Sequence, residues 1–276
     1  MKKFATLFIS LVVMAMMPAA GISGSVQLRY GLSPGQQWEC TRMTHMEFMV
    51  MGKKQVQRQK HTILYKVSKG KKKGWVRLTA QYINPPAKTA ENKYAMGQYD
   101  LIFSADFHWS GDIRNIQVQG ADKPMDDSSY TPHEKMTMVQ TNKMLAKSLQ
   151  PAVFWFPELT EDPLAPGDEF EEKRTHGVKD PNMTTLSKRR TIFVLEEVSQ
   201  GLAYFSTKER LTSKTTTMGG AMDTKSAGKG ETIFDLKAGM WIEYVSKTKM
   251  NFSGAMMGGQ GGQDMYMTEK LVMQQR

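Results

Sequence analysis

One heptapeptide pattern occurs twice in this chain. Leu32-Ser33-Pro34-Gly35-Gln36-Gln37-Trp38 is matched 132 residues later by Leu164-Ala165-Pro166-Gly167-Asp168-Glu169-Phe170, and Arg42 then falls on Arg174. The correspondence continues in order. Thr62-Ile63 through Gly70 aligns with Thr191-Ile192 through Gly201, and Ile102-Phe103 with Ile233-Phe234, each followed by a glycine turn at Gly111 or Gly239. Landmarks held at displacements of 129–132 predict two copies of one unit. A Pro-Gly turn running into an aromatic residue marks the start of a strand. The unit used twice is therefore β.

Alternation supports the same reading. Trp38, Cys40, Arg42, Thr44, Met46, Phe48 and Val50 share one strand face, because side chains alternate with period 2. Val76, Leu78, Ala80 and Tyr82 make a second stripe, and Leu101, Phe103, Ala105, Phe107 and Trp109 a third. The first copy has expected strands at 55–69, 74–83, 97–109 and 113–119. The second has them at about 169–176, 184–198, 202–213, 226–235, 240–252 and 265–274. The predicted class is mainly β: two tandem homologous antiparallel curved sheets, half-barrel or open-barrel meanders, with one linking amphipathic helix. That helix starts at the capping box Thr131-Pro132-His133-Glu134. It carries Met138, Val139, Asn142, Leu145, Ala146 and Leu149 at helical spacing and stops at Pro151. The expected organisation is a signal peptide at 1–23, a first β repeat at 24–131, a linking helix at 132–150 and a second β repeat at 151–276.

The leader rests on Met1-Lys2-Lys3, an uncharged apolar run from Phe4 to Met17, Pro18, and small residues from Ala19 to Ser25. The apolar run falls short of the ~20 residues a spanning helix needs, so the pattern is that of a cleaved export signal. Cys40 lies well beyond it and is not the acylated cysteine of a lipoprotein. The expected address is periplasmic or secreted. Cleavage removes Lys2 and Lys3 and lowers the net charge from +10 to +8.

The Leu-x-Pro-Gly-x-x-aromatic motif, used twice after a leader to open long charged hairpins, resembles secreted bacterial families of duplicated curved-sheet β proteins. More loosely, the chain is similar to the periplasmic lipoprotein-carrier (LolA-like) superfamily, whose half-barrel sheets wrap an apolar cavity plugged by helices. The resemblance covers most of residues 26–276 and implies a carrier or binding role by analogy of fold.

A search for catalytic chemistry returns no Gly-x-Ser-x-Gly, Cys-x-x-Cys, His-Glu-x-x-His, phosphate-binding glycine loop or EF-hand loop. The single cysteine excludes an internal disulfide and a Cys₄ zinc site. Cys40 and His45 are an odd number of residues apart, on opposite strand faces, which makes Cys40 a buried structural thiol. Glu158, Glu161, Asp162, Asp168, Glu169, Glu171 and Glu172 crowd a Pro-rich linker and a strand start, where solvated acids are the default. The expectation is a non-enzymatic protein without a cofactor.

Binding is the expected work. Phe103, Phe107, Trp109 and Trp155 are the candidate lining of a site for an apolar or amphiphilic, lipid-like ligand. Residues 52–77 carry ten lysines and arginines, and no acid occurs from Phe48 through Ala90. Within that run Lys71, Lys72 and Lys73 are the candidate contacts for an anionic membrane surface or envelope partner. Nucleic acid is excluded by export. Two alternatives remain open. The 23 methionines include Met43, Met49 and Met51, which share a strand face with His45 and could hold Cu(I) in a Met-rich periplasmic copper-binding protein. The other is a structural envelope interaction protein with a protein partner and no small ligand.

Overall fold

The computed structural model describes residues 24–50, 52–85, 95–122, 131–180, 183–254 and 263–276. The expected leader, Met51 and most of the loop at 258–263 lie outside them. Among the described residues eleven strands form one sheet: β1 Gln37–Val50, β2 Lys53–Lys69, β3 Trp75–Ile83, β4 Ile102–His108, β5 Ile113–Gln119, β6 Glu169–Asp180, β7 Met183–Ser199, β8 Leu202–Thr217, β9 Gly220–Asp235, β10 Met240–Gly254 and β11 Gln263–Gln275. Their spatial order is β5-β4-β3-β2-β1-β11-β10-β9-β8-β7-β6. Every neighbouring pair is antiparallel, and β5 and β6 are the two edges of an unclosed sheet.

The expected two sheets are thus one. β11 hydrogen-bonds β1 on one side and β10 on the other, from Trp38↔Gln275 to Phe48↔Met265 and from Glu243↔Val272 to Phe252↔Gln263. Without β11 each half would expose a row of unpaired N–H and C=O groups along a long strand, and pairing both edges with one strand removes both rows. The two motif turns nonetheless make the same bonds. Gly35 N–H donates to the Val67 carbonyl at 2.9 Å, and Val67 N–H to Gln36 at 3.0 Å. Gly167 N–H donates to Leu195 at 2.7 Å, and Leu195 N–H to Asp168 at 2.9 Å. Gly35 and Gly167 sit at φ +95° and +94° with open space around a would-be Cβ, so glycine is required there by backbone angle and not by crowding.

Apolar side chains on the inner phase of the strands converge at one end of the sheet. Trp38 and Cys40 lie opposite Tyr65 and Ile63, and all four are buried. Leu28, Tyr30, Phe154 and Phe156 plug this end. The Tyr30 ring meets Phe107 edge-on at 5.0 Å and Phe156 at 5.9 Å, and its hydroxyl donates to the Pro157 carbonyl at 2.8 Å. The same chain segments tie the two halves together. Val26 and Leu164 exchange backbone bonds of 2.7 and 2.9 Å, Tyr30 N–H reaches Trp109, and Leu159 N–H reaches Ser110. Away from this end the long strands run on, with β7 alternating half-buried and exposed positions and residues 53–60 of β2 exposed on both faces.

The helix α1 Pro132–Val153 lies in the connection between the edge strands β5 and β6. Thr131 acts as its N-cap, its carbonyl taking the first bond from Lys135 N–H at 3.0 Å. Asn142 and Ala146 are buried, and Val139, Leu145 and Leu149 half-buried, as the helical spacing predicts. The expected stop at Pro151 is corrected: the helix continues through it to Val153. A proline in the last turn forgoes a single bond, to the carbonyl of Lys147 four residues back. That carbonyl is reused in the cavity described below. The expected strand at 97–109 is also shorter, because Ala95–Asp100 coils into a 3₁₀ turn before β4 begins.

Candidate functional site: the cavity on the inner face

The inner phase of β6 to β11 and β1 changes character beyond the aromatic plug. Phe170 and Phe193, stacked at 4.7 Å, give way on the same phase to Glu172 opposite Thr191, then Arg174 opposite Arg189. Across the next strands Thr191 faces Glu209, and Arg189 faces Leu211, then Ser226, then Met250. From the other half comes Arg42, two residues beyond buried Cys40. Register therefore gathers three arginines and three glutamates, far apart in sequence, on one concave surface.

These charges neutralise one another. Arg174 and Arg189 are directly opposed, a repulsive arrangement made tolerable by Glu172, whose buried carboxylate lies 2.7 Å from Arg174 and 3.5 Å from Arg189. Glu172 also accepts the Glu158 N–H at 3.1 Å, while Arg174 donates to the carbonyls of Phe154 and Phe156. Glu209 accepts the Tyr244 hydroxyl at 3.0 Å and lies 4.0 Å from Arg189. Arg42 pairs with Glu269. Burial works to lower the Arg42 pKa, and the adjacent Glu269 carboxylate more than reverses it, leaving the guanidinium more firmly charged than usual. The Tyr244 phenol is pushed upward, by burial first and by the Glu209 charge second.

Around this band is a cavity of about 720 Å³, bounded by the C-terminal half of α1, β5, and the inner faces of β6 to β11. That volume is typical of small-molecule sites, ~300–1,000 Å³. Its apolar wall comes from Ile113, Ile116, Phe154, Val178, Met183, Leu211, Met250 and Met267. Hydroxyls of Thr175, Thr185, Ser187, Ser226, Ser246 and Thr248 fill the gaps, several already satisfied, as in the 2.7 Å bond between Ser187 and Ser213. One polar atom stands apart. Nε2 of His176 is buried without a protein hydrogen-bond partner, and the ring lines the cavity. Burial lowers the His176 pKa, while a hydrogen bond with the Lys147 backbone opposes the shift. Pro151, lacking an N–H, frees the Lys147 carbonyl for that bond. The Nε2 atom itself is enclosed by protein, with virtually no surface open to the cavity.

The residues expected from sequence to form sites lie elsewhere. Phe103 and Phe107 are 0% and 1% exposed, which makes them packed core rather than lining. Trp109 packs beneath the Arg29 guanidinium at 4.7 Å, and Trp155 lies against Tyr244 at 4.7 Å. None of the four lines the large cavity. Lys71, Lys72 and Lys73 are exposed in the β2–β3 turn, whereas Lys53 and Lys54 begin β2 at its opposite end, so the basic run is divided rather than gathered into one patch. Met43, His45 and Met49 do share the outer face of β1, and Met51 lies outside the described residues. Met43 sits between Lys60 and Lys270, Met49 opposite Lys54, and the His45 ring is engaged by Glu47 at 3.1 Å and Arg58 at 3.3 Å. Lysines and Arg58 flank this face, with the Glu47 carboxylate between His45 and Lys54. The acid cluster disperses: Glu172 turns inward, Glu171 pairs outward with Lys173 and Arg190, and Asp168 accepts the Ala165 N–H of the motif turn.

Cys40 is buried, and burial pushes its thiol up to about 12. At pH 8 an aromatic disulfide reagent is expected to modify it roughly a thousandfold more slowly in the native protein than in denaturant, because the thiolate is the reactive form. Stopped-flow absorbance measures this, and comparable rates would mean that the β1–β11 seam opens readily.

The sequence signal that could have found the cavity is a charge in phase with an apolar stripe. Arg42 follows Trp38 and Cys40, Glu172 and Arg174 follow Phe170, and Glu209 follows Phe205. Nothing local identifies their partners. No family model matches the chain, and no curated protein matches it. Among solved structures it is similar to a loop-deletion mutant of the outer-membrane protein OmpT of Vibrio cholerae, at 5% identity and a TM-score of 0.29 over 86% of this chain and 98% of that one. It is likewise similar to the attachment invasion locus protein Ail of Yersinia pestis, at 4% identity and 0.18 over 88% and 100%. A putative exported protein with a YmcC-like fold from Bacteroides fragilis matches at 12% and 0.21 over 91% and 100%. Scores this low do not superpose the folds, and what those proteins do says nothing about this chain.

Proposed function

We propose that this chain is an exported, non-enzymatic binding protein that takes an amphiphilic ligand into the cavity between α1 and the inner face of the sheet. The observation that carries this reading is the composition of the walls. A cavity of about 720 Å³ joins a methionine- and leucine-containing apolar surface to a self-neutralised Arg–Glu band. The apolar wall suits a hydrocarbon chain, and thioethers adapt to its shape. Because Arg42, Arg174 and Arg189 already have carboxylate partners, a ligand of modest charge fits better than a polyanion. The leader at 1–23 supplies the export part of the reading. The matching Gly35 and Gly167 turns favour descent of the two halves from one unit, with β11 as the seam between them.

The test is a titration of the purified protein with a fluorescent fatty alcohol whose emission rises in apolar surroundings. Saturable enhancement at one equivalent per chain is expected. No enhancement with this probe, or enhancement without saturation, would overturn the reading.

A further inference from the structure

The outer face of β8, β9 and β10 holds a feature that the cavity does not explain. Lys208 lies directly opposite Lys229, and Lys229 directly opposite Lys247. Arg210 and Lys249 follow one step along the same face, and the five line a shallow groove floored by Ala227. All five are exposed. Adjacent strands are about 4.8 Å apart, so three ammonium groups are rooted within about 10 Å of one another. Directly opposed like charges destabilise a sheet. On the inner face Glu172 neutralises the one such pair. Outside, among the described residues, Lys208, Arg210, Lys229 and Lys247 have no ion-pair partner, and only Lys249 has one, Asp264 at 2.7 Å. The charge of this row is unneutralised by the described residues and faces outward, open to an external anion.

A second observation identifies that anion. Register puts Met43, Met49, Val56, Leu186 and Tyr266 on the same outer face, and all five are exposed, Tyr266 at 52%. Tyr266 lines the groove itself, with the Lys249 ammonium 5.7 Å from its ring. A dissolved polyanion has no use for exposed methionine, leucine and valine, whereas a bilayer interface takes up apolar side chains and tyrosine while its anionic headgroups take up lysine. We infer that the outer face of β8 to β10 docks the protein on an anionic lipid bilayer, with Lys208, Lys229 and Lys247 on headgroup phosphates and Tyr266 at the interface. The inference is independent of the cavity reading.

Co-sedimentation with vesicles of phosphatidylcholine, with and without phosphatidylglycerol, tests it. The protein is expected to sediment with the anionic vesicles and not with phosphatidylcholine alone, and to be released by salt. Changing Lys208, Lys229 and Lys247 together to serine is expected to weaken binding roughly a hundredfold, given the contribution of each lysine near a charged surface. Lys71→Ser, Lys72→Ser and Lys73→Ser together remove the same charge from the β2–β3 turn and are expected to leave binding near that of the parent. Tyr266→Ser should weaken it several-fold. Thermal unfolding of the first triple variant is expected to be unchanged or raised, since opposed like charges are removed. Equal losses in the two triple variants would reduce the effect to net charge and overturn the inference. It is also overturned by absence of vesicle binding, or by binding to dextran sulfate without binding to vesicles.

Discussion

Replacing Glu172 by alanine is expected to destabilise the protein by about 3–5 kcal/mol, the range for removing one partner from a buried ion pair. The carboxylate is 3% exposed and serves Arg174, Arg189 and the Glu158 N–H together. Its loss leaves two opposed guanidiniums facing each other across β6 and β7 with only Glu209, 4.0 Å from Arg189, to moderate them. Denaturant unfolding monitored by tryptophan fluorescence measures the effect. The double variant Glu172→Leu with Arg174→Met should recover most of the loss, because it removes the charge pair rather than half of it. A change below about 0.5 kcal/mol in Glu172→Ala, the scale of ordinary surface substitutions, would mean that the carboxylate is hydrated and that the inner band does not hold the two strands in register.

Filling the cavity should abolish ligand uptake while leaving the fold intact. Leu211 and Met250 flank Ser226 on the inner face, and all three line the cavity. Trp at both positions grows into open space rather than into packed core, so the stability change is expected to stay within about 1 kcal/mol, below the ~1–3 kcal/mol typical of overpacked interiors. A ligand chain deprived of ~150 Å² of contact at ~25 cal/mol per Å² loses about 4 kcal/mol. That is close to a thousandfold in Kd. The fluorescent fatty alcohol titration should therefore show no saturable phase in Leu211→Trp/Met250→Trp. An unchanged titration would place the probe elsewhere on the molecule.

The elements of this fold are legible locally, but its closure is not. β5 is expected and found at 113–119, and the stripe from Trp38 to Phe48 keeps its phase through β1. Those signals are short-range: alternation fixes which side chains share a face and turn chemistry fixes where hairpins bend. The β1–β11 pairing joins residues more than two hundred positions apart, and an edge strand looks the same in sequence whichever partner it finds. Two sheets and one sheet therefore read alike. The same limit hid the cavity. Phe103 and Phe107 are large aromatics on an apolar stripe, and such residues belong first to the packed core of the sheet. Arg42, Glu172, Arg174, Arg189, Glu209 and Glu269 look individually like solvated charges, and only cross-strand register reveals that they face one another. Pro151 shows the effect in miniature. As a sequence symbol it ends a helix, and in the structure it releases a carbonyl that orients His176.

Native mass spectrometry of the protein, purified without detergent or denaturant, tests the central claim most directly. The account predicts an adduct of small-molecule mass that is lost on denaturation and is absent from Leu211→Trp/Met250→Trp. A bare polypeptide mass for the parent protein, or an adduct equally present in the cavity-filled variant, would contradict it.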